Sequence, residues 1–226
     1  MTVRHTFLIP ILLICVLPGL FCGGDTSRNA ESSRFGPEFE DVSGYENVRL
    51  DIRYASENNF THKNLYGTFA ACFLHRQAAR KLKNAVLALT EQAPGFQFLI
   101  FDCLRPRSVQ RILWQKVRGT PQEPYVANPD FGSIHNFGFA LDLSLVDSDG
   151  NELDMGTPYD TFSPLSEPVR EEQFLKEQKL SQKQIASRRL LRRVMEDSGF
   201  FQLGNEWWHY DALPSSEVRA SHSIVE

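Results

Sequence analysis

The chain has 226 residues, of which 42% are hydrophobic and 23% charged. That composition is ordinary for a globular protein: it supports one domain with a real core and excludes disorder as the default. With 24 Lys+Arg against 28 Asp+Glu, the formal net charge of −4 argues against nucleic acid or an anionic membrane surface as the main partner.

The first segment reads as a targeting element rather than as fold. Arg4 and His5 precede the apolar run "FLIPILLICVLPGLF" of residues 7–21. Pro10 and Pro18 interrupt it, and it is too short for a comfortable membrane span, but it suits a secretory signal. Residues 1–22 are therefore expected to be a signal peptide. Cys22, followed by two glycines, is a candidate lipidation site of the bacterial lipoprotein type, although Phe21 is bulky where a small residue is usual. Ordinary cleavage and an uncleaved anchor are the alternatives. The protein is expected to be exported, and either periplasmic or held at the membrane through that lipid. Residues 23–44, rich in Gly, Ser, Asn, Asp and Glu, read as a flexible linker, which leaves 45–226 as the folded domain.

Within that domain, "VRLDIRY" at 48–54 alternates strictly, with Val48, Leu50, Ile52 and Tyr54 on one face, as a half-buried strand does. Leu74, Ala78, Leu82, Val86 and Leu89 then form one stripe of an amphipathic helix that ends near Pro94 and Gly95. The apolar run "FQFLIFD" at 96–102 has strand length and delivers Asp102, Arg105 and Arg107 to the loop beyond it. Residues 108–117 read as a helix with Val109, Ile112, Leu113 and Trp114 turned inward, and a polar, proline-rich loop covers 119–132. Ser181 and Gln184 have the spacing of a capping box, opening a helix over 182–197 that closes at Gly199. Its basic residues Arg188, Arg189, Arg192 and Arg193 read as a solvated face. One strand or a pair follows over 200–210. Mixed helices and strands without repeats predict a single α+β domain, a small antiparallel or mixed sheet flanked by helices.

The two cysteines of the domain, Cys72 and Cys103, stand outside any CxxC, so a thiol redox site is not expected. In an oxidising compartment they are candidates for a disulfide, with two buried free thiols as the alternative.

The chemistry concentrates in "SIHNFGFALDLSL" at 133–145. Read as a strand, Phe139, Leu141, Leu143 and Leu145 face a core, while Ala140, Asp142 and Ser144 face the other way. A bend at Gly138 can bring His135 over the same side as Asp142. Imidazole nitrogen and carboxylate oxygen both ligate zinc, and a catalytic zinc takes three protein ligands, leaving a fourth position open. Of the remaining histidines, His5 lies in the signal, His62 and His222 lie in polar surroundings and His75 on a helix surface. That leaves His209 in "NEWWHYD", three residues after Glu206. A glutamate beside such a site is what hydrolysis requires, because water must give up a proton and a leaving amine must receive one. The three-residue offset would point Glu206 and His209 to opposite faces of a regular strand, so a bulge or turn is required.

The pattern Ser133-x-His135-x-x-Gly138-x-Ala140-x-Asp142, with Glu206-Trp207-Trp208-His209 and Asp102-x-x-Arg105-Pro106, resembles the zinc D-alanyl-D-alanine dipeptidases (VanX-type), in the fold group of D-Ala-D-Ala peptidases and hedgehog-like domains. The likeness extends through "NNFTHKNLYG" and "LVDSDGNELDMGTPYD". A departure is Leu104, where the family commonly has an aromatic, with an expected effect on pocket lining rather than on ligands. The resemblance implies one zinc ion held by His135, Asp142 and His209, with Glu206 as general base and then general acid. It also implies Arg105 on the oxyanion, Ser133 and Asp160 at the substrate's free amino end, and Asp102 as an orienting group. A zinc dipeptidase acting on D-Ala-D-Ala or a related D-amino-acid dipeptide follows. A D-Ala-D-Ala carboxypeptidase, a non-catalytic zinc binder and an iron(II) oxygen-activating site are the alternatives. The iron site lacks its usual His-x-Asp pair, and a purely structural zinc needs no Glu206.

Overall fold

The computed structural model describes residues 35–226; the expected signal peptide 1–22 with Cys22, and the expected linker up to residue 34, lie outside the described residues. The fold begins earlier than the expected boundary at 45. Strand β1, Phe39–Asp41, pairs antiparallel with β3, Phe73–His75, and Phe35 and Phe39 are buried with Phe73 and Leu104. Two phenylalanines in a Gly- and Ser-rich stretch were enough to anchor it, a signal that composition averages away.

Strand β2, Val48–Leu50, runs parallel to β4, Gln97–Asp102, at the edge of a five-stranded sheet ordered β2-β4-β5-β7-β6. Here β5 is Ala140–Val146, β6 Phe201–Gln202 and β7 His209–Asp211, and every pairing other than β2 with β4 is antiparallel. The alternation in 48–54 does not extend the strand. Beyond Leu50, Arg53–Ala55 curls into a 3-10 turn that buries Tyr54.

One face of the sheet is apolar. Leu141, Leu143 and Leu145 pack with Phe98 and Ile100 against α1, Arg76–Gln92, which contributes Ala78, Ala79, Leu82, Ala85 and Leu89 at helical spacing. Burial of each leucine stabilises the fold by about 1.5–3 kcal/mol. Helix α4, Gln182–Asp197, adds Leu191, Val194 and Met195 to the same core. Its capping box forms as the sequence predicts, with Gln184 N donating to Ser181 Oγ at 3.2 Å and Ser181 N to Gln184 Oε1 at 2.8 Å. Its arginines are not one solvated face. Arg188 is 1% exposed, donates to the carbonyls of Met155 and Leu165, and lies 3.6 Å from Glu171. Glu171 opens the short helix α3, Glu171–Lys176, which together with the 155–165 loop covers that side of α4.

Helix α2, Arg107–Val117, buries Val109 and Leu113 as expected, but Ile112 is 44% exposed and Gln110 takes the inward position. His75 and His222 are neither ligands nor free surface groups. His75 caps α1, its Nδ1 accepting from Gln77 N, and both rings pack on Phe139 with centroids 4.3 and 4.5 Å away. Helix α5, Ser215–Ser221, closes the C-terminal side. Cys72 and Cys103 form a disulfide with Cα atoms 5.4 Å apart, tying the residue before β3 to the residue after β4.

Candidate active site

The opposite face of the sheet carries the polar residues. In the register, Asp102 of β4 lies opposite Asp142 of β5, and Asp142 lies opposite His209 of β7. Directly opposed residues share a face, so three chemistry-bearing side chains line up across adjacent strands. His135 comes from the 3-10 turn Ile134–Phe137, which is capped by Ser133 and ended by Gly138 at φ 72°. A Cβ at Gly138 would lie 2.7 Å from the Phe39 ring and 3.0 Å from His75 N, so both the left-handed turn and the close packing require glycine there. This turn folds His135 back over β5. Glu206 stands in the turn between β6 and β7, which resolves its odd offset from His209.

Three ligand atoms converge. His135 Nε2 lies 3.1 Å from Asp142 Oδ1 and 3.2 Å from His209 Nδ1, and the last two atoms are 3.0 Å apart. The outer hydrogen bonds fix what these atoms are. His135 Nδ1 faces the Cys103 carbonyl at 2.6 Å and His209 Nε2 faces Asp211 Oδ1 at 2.8 Å; both partners only accept, so both of those nitrogens carry the proton. Each neutral imidazole therefore presents a lone pair to the other and to a carboxylate oxygen. Three mutually facing acceptors repel unless a cation sits among them. The edge of a tetrahedron with zinc bonds of about 2.0–2.1 Å is roughly 3.3 Å, close to the observed separations. The residues fit a metal ion, and His135, Asp142 and His209 are the one such cluster among the described residues.

The surroundings support the same polarity. Tyr159 Oη donates to Asp142 Oδ2 at 2.9 Å, leaving Oδ1 to the cluster. Burial alone would raise the Asp142 carboxyl, but His135 and His209 hold it well below the usual carboxylate range. Burial disfavours charge on His209, while Asp211 and Asp142 hold its pKa well above the ordinary value. Arg105, 7% exposed, is pinned by donation from Nε to Asp102 Oδ2 at 2.7 Å and from Nη1 to Gln110 Oε1 at 2.8 Å. Asp102 in turn accepts from Tyr66 Oη at 2.6 Å.

Glu206 Oε2 is 4.0 Å from His209 Nδ1. Burial, with Asp142 and Asp160 adding and His209 opposing, pushes its carboxyl from 4.5 up to about 8. A carboxyl group tuned toward neutral pH is suited to take and return a proton. Asp160, at φ 59°, is likewise pushed by burial and by Asp142 to about 8, and Tyr54 Oη stands 3.4 Å from its oxygens.

A cavity of about 220 Å³ is lined by Arg105, Ser133, His135, Asp142, Asp160, Glu206 and His209 together. The site residues read from the sequence thus meet in one place, with Cys72 and Cys103 bridged nearby and Cys22 outside the described residues. Leu104 does not line the cavity; it is 2% exposed in the cluster of Phe35, Phe39 and Phe73, so the departure there changes packing behind the site. The sequence reading passed over Asp211, Tyr159, Tyr54, Tyr66 and Gln110. For Asp211 a signal existed, since it follows His209 by two residues on the same strand face. Tyr159 and Tyr66 arrive through loops without periodicity, while Tyr54 and Gln110 stand in a 3-10 turn and on α2, where their spacing reads as core.

Residues 38–225 match the Peptidase M15 family, described as D-ala-D-ala dipeptidase. Among curated proteins, the chain is 33% identical over 172 residues to a D-alanyl-D-alanine dipeptidase of Escherichia coli K12, covering 76% of this chain and 82% of that protein. It is 32% identical over 181 residues to one of Enterococcus faecium, covering 72% and 85%. With one of Streptomyces coelicolor it shares 30% over 188 residues, covering 75% and 86%.

Proposed function

The chain belongs to the Peptidase M15 family of D-ala-D-ala dipeptidases and is a peptidase, and from that premise we propose that it hydrolyses D-Ala-D-Ala or a closely related D-amino-acid dipeptide with one zinc ion. The observation that carries the reading is the set of three converging lone pairs with a proton-transfer carboxyl 4.0 Å away. His135, Asp142 and His209 would hold the zinc, which supplies Lewis acidity that makes water a nucleophile near neutral pH.

The protein's own groups do the rest. Glu206 takes the proton of the attacking water at its carboxylate and returns it to the nitrogen of the leaving amino acid. The peptide C–N bond breaks as that proton arrives. Arg105, always charged and held in place by Asp102 and Gln110, stabilises the negative charge that develops on the carbonyl oxygen. Asp160, with Ser133 lining the same cavity, receives the substrate's free ammonium. An acylated amino end would leave that buried carboxyl without its ion partner, so it is disfavoured. Residues 1–22 and Cys22 support export, by ordinary cleavage or lipidation, to a compartment where dipeptides are released from the cell wall. Mass spectrometry of the native N-terminus tests this part.

The substrate reading is tested by comparing kcat/KM on D-Ala-D-Ala and on its N-acetyl derivative. The free dipeptide is expected to be preferred by at least about 100-fold, as for a buried charge left unpaired. Faster cleavage of the acetylated compound would sink the dipeptidase reading in favour of a carboxypeptidase.

A further inference from the structure

Two arginines line the cavity, Arg105 and Arg219, and their electrostatic situations differ. Arg105 is buried and spent on Asp102, Gln110 and Asp142. Arg219, on α5, is exposed at the rim and has no carboxylate within ion-pair distance among the described residues. Its guanidinium is nonetheless held in a fixed attitude, because Nε donates to the Phe131 carbonyl at 3.2 Å and Nη2 to the Gly132 carbonyl at 2.9 Å. Both carbonyls are neutral, so the charge is oriented without being cancelled. Gly132 precedes Ser133, which ties Arg219 to the wall that carries His135. Ser215, at the start of α5, lines the same cavity.

The cavity therefore has two poles. Asp160, with Tyr54 beside it, is an acidic pole, while Arg219 is a basic one with no carboxylate at ion-pair distance among the described residues. A free dipeptide is a zwitterion carrying one ammonium and one carboxylate, separated by the bond to be cleaved. We propose that Arg219, with Ser215, receives the free C-terminal carboxylate of the substrate and so sets the preference for a C-terminal acid. The assignment rests on the dipeptidase reading, because it presumes that the scissile bond lies between the two poles. The N–H forks of a guanidinium match a carboxylate, so the contact is directional as well as electrostatic.

The test compares zinc-loaded wild type, Arg219→Gln and Arg219→Lys on D-Ala-D-Ala and on D-Ala-D-Ala amide, which lacks the carboxylate charge. Wild type is expected to favour the acid. In Arg219→Gln, KM for the acid should rise about five- to ten-fold, as for one partly solvated charge-assisted contact, with kcat within about two-fold and KM for the amide unchanged. Arg219→Lys should keep most of the preference. A purely structural role, pinning Phe131 and Gly132, would lower activity on both compounds equally and leave the acid-to-amide ratio as in wild type; that result overturns the assignment. If wild type cleaves neither compound, the dipeptidase reading fails and the assignment falls with it. Retention of the wild-type ratio in an enzyme that does cleave D-Ala-D-Ala overturns the assignment alone.

Discussion

His209 serves the site through both ring nitrogens: Nε2–H is fixed by Asp211, and Nδ1 joins His135 and Asp142. Burial holds the nearby Glu206 toward its neutral form. The native pKa, about 8, exceeds the ordinary 4.5, so between those values the native state binds more protons than the unfolded state. Stability therefore falls as pH rises through that window, and the group costs nothing below it. Metal-free Glu206→Gln is expected to melt above metal-free wild type by a margin that grows from about pH 4.5 to about pH 8 and vanishes at lower pH. A calorimetric gap independent of pH would contradict this. At this scale the sequence was informative about side chains whose chemistry is rare, the histidines, Asp142 and Glu206. It was silent about Tyr159, whose hydroxyl reaches Asp142 from a loop that no hydrophobic period marks.

The strands make a site of these side chains through register. Asp142 opposes His209, and a slip of β7 by one residue along β5 would turn His209 toward the apolar core and part it from Asp142. The alternation in 139–145 showed which face each residue takes; which strand lies alongside depends on pairing across more than 60 residues and leaves no local trace. Helix α4 makes the same point from the other side. Its boundaries were legible from Ser181, Gln184 and Gly199, whereas the burial of Arg188 depends on α3 and the 155–165 loop folding over it. Because that loop carries Tyr159 and Asp160, Arg188→Met is expected to cost about 2–3 kcal/mol of stability, leaving two buried carbonyls without donors. It should also raise KM for the dipeptide more than it lowers kcat. Arg193→Ala, on the exposed face, should change stability by less than about 0.5 kcal/mol. Denaturant melts and Michaelis kinetics on both variants decide it, and equal effects of the two would contradict the bracing role.

At the scale of the whole molecule, a two-stranded sheet, a five-stranded sheet and two long helices share one core, and the Cys72–Cys103 disulfide joins the two sheets behind the site. Its closed loop of 31 residues in sequence separation restricts the unfolded chain. By the loop-entropy relation, its removal should cost about 3–4 kcal/mol. Chemical denaturation of Cys72→Ser/Cys103→Ser against the oxidised wild type measures this, and an unchanged midpoint would contradict it. The loss should also reach the His135–Asp142–His209 cluster, since the Cys103 carbonyl holds His135 in its tautomer. Single-domain α+β architecture was legible from the alternation of strand and helix periods; the early start at Phe35 was not, because its partner strand lies beyond residue 70. The central claim, a metal-dependent peptidase in which Glu206 moves the proton, meets its most direct test when zinc is titrated into metal-stripped protein while D-Ala release from D-Ala-D-Ala is followed. Activity should appear and saturate at about one equivalent per chain in wild type, and Glu206→Gln should bind the same equivalent with turnover lower by about 100- to 10,000-fold. Full turnover without metal, or wild-type turnover by zinc-loaded Glu206→Gln, would contradict the account.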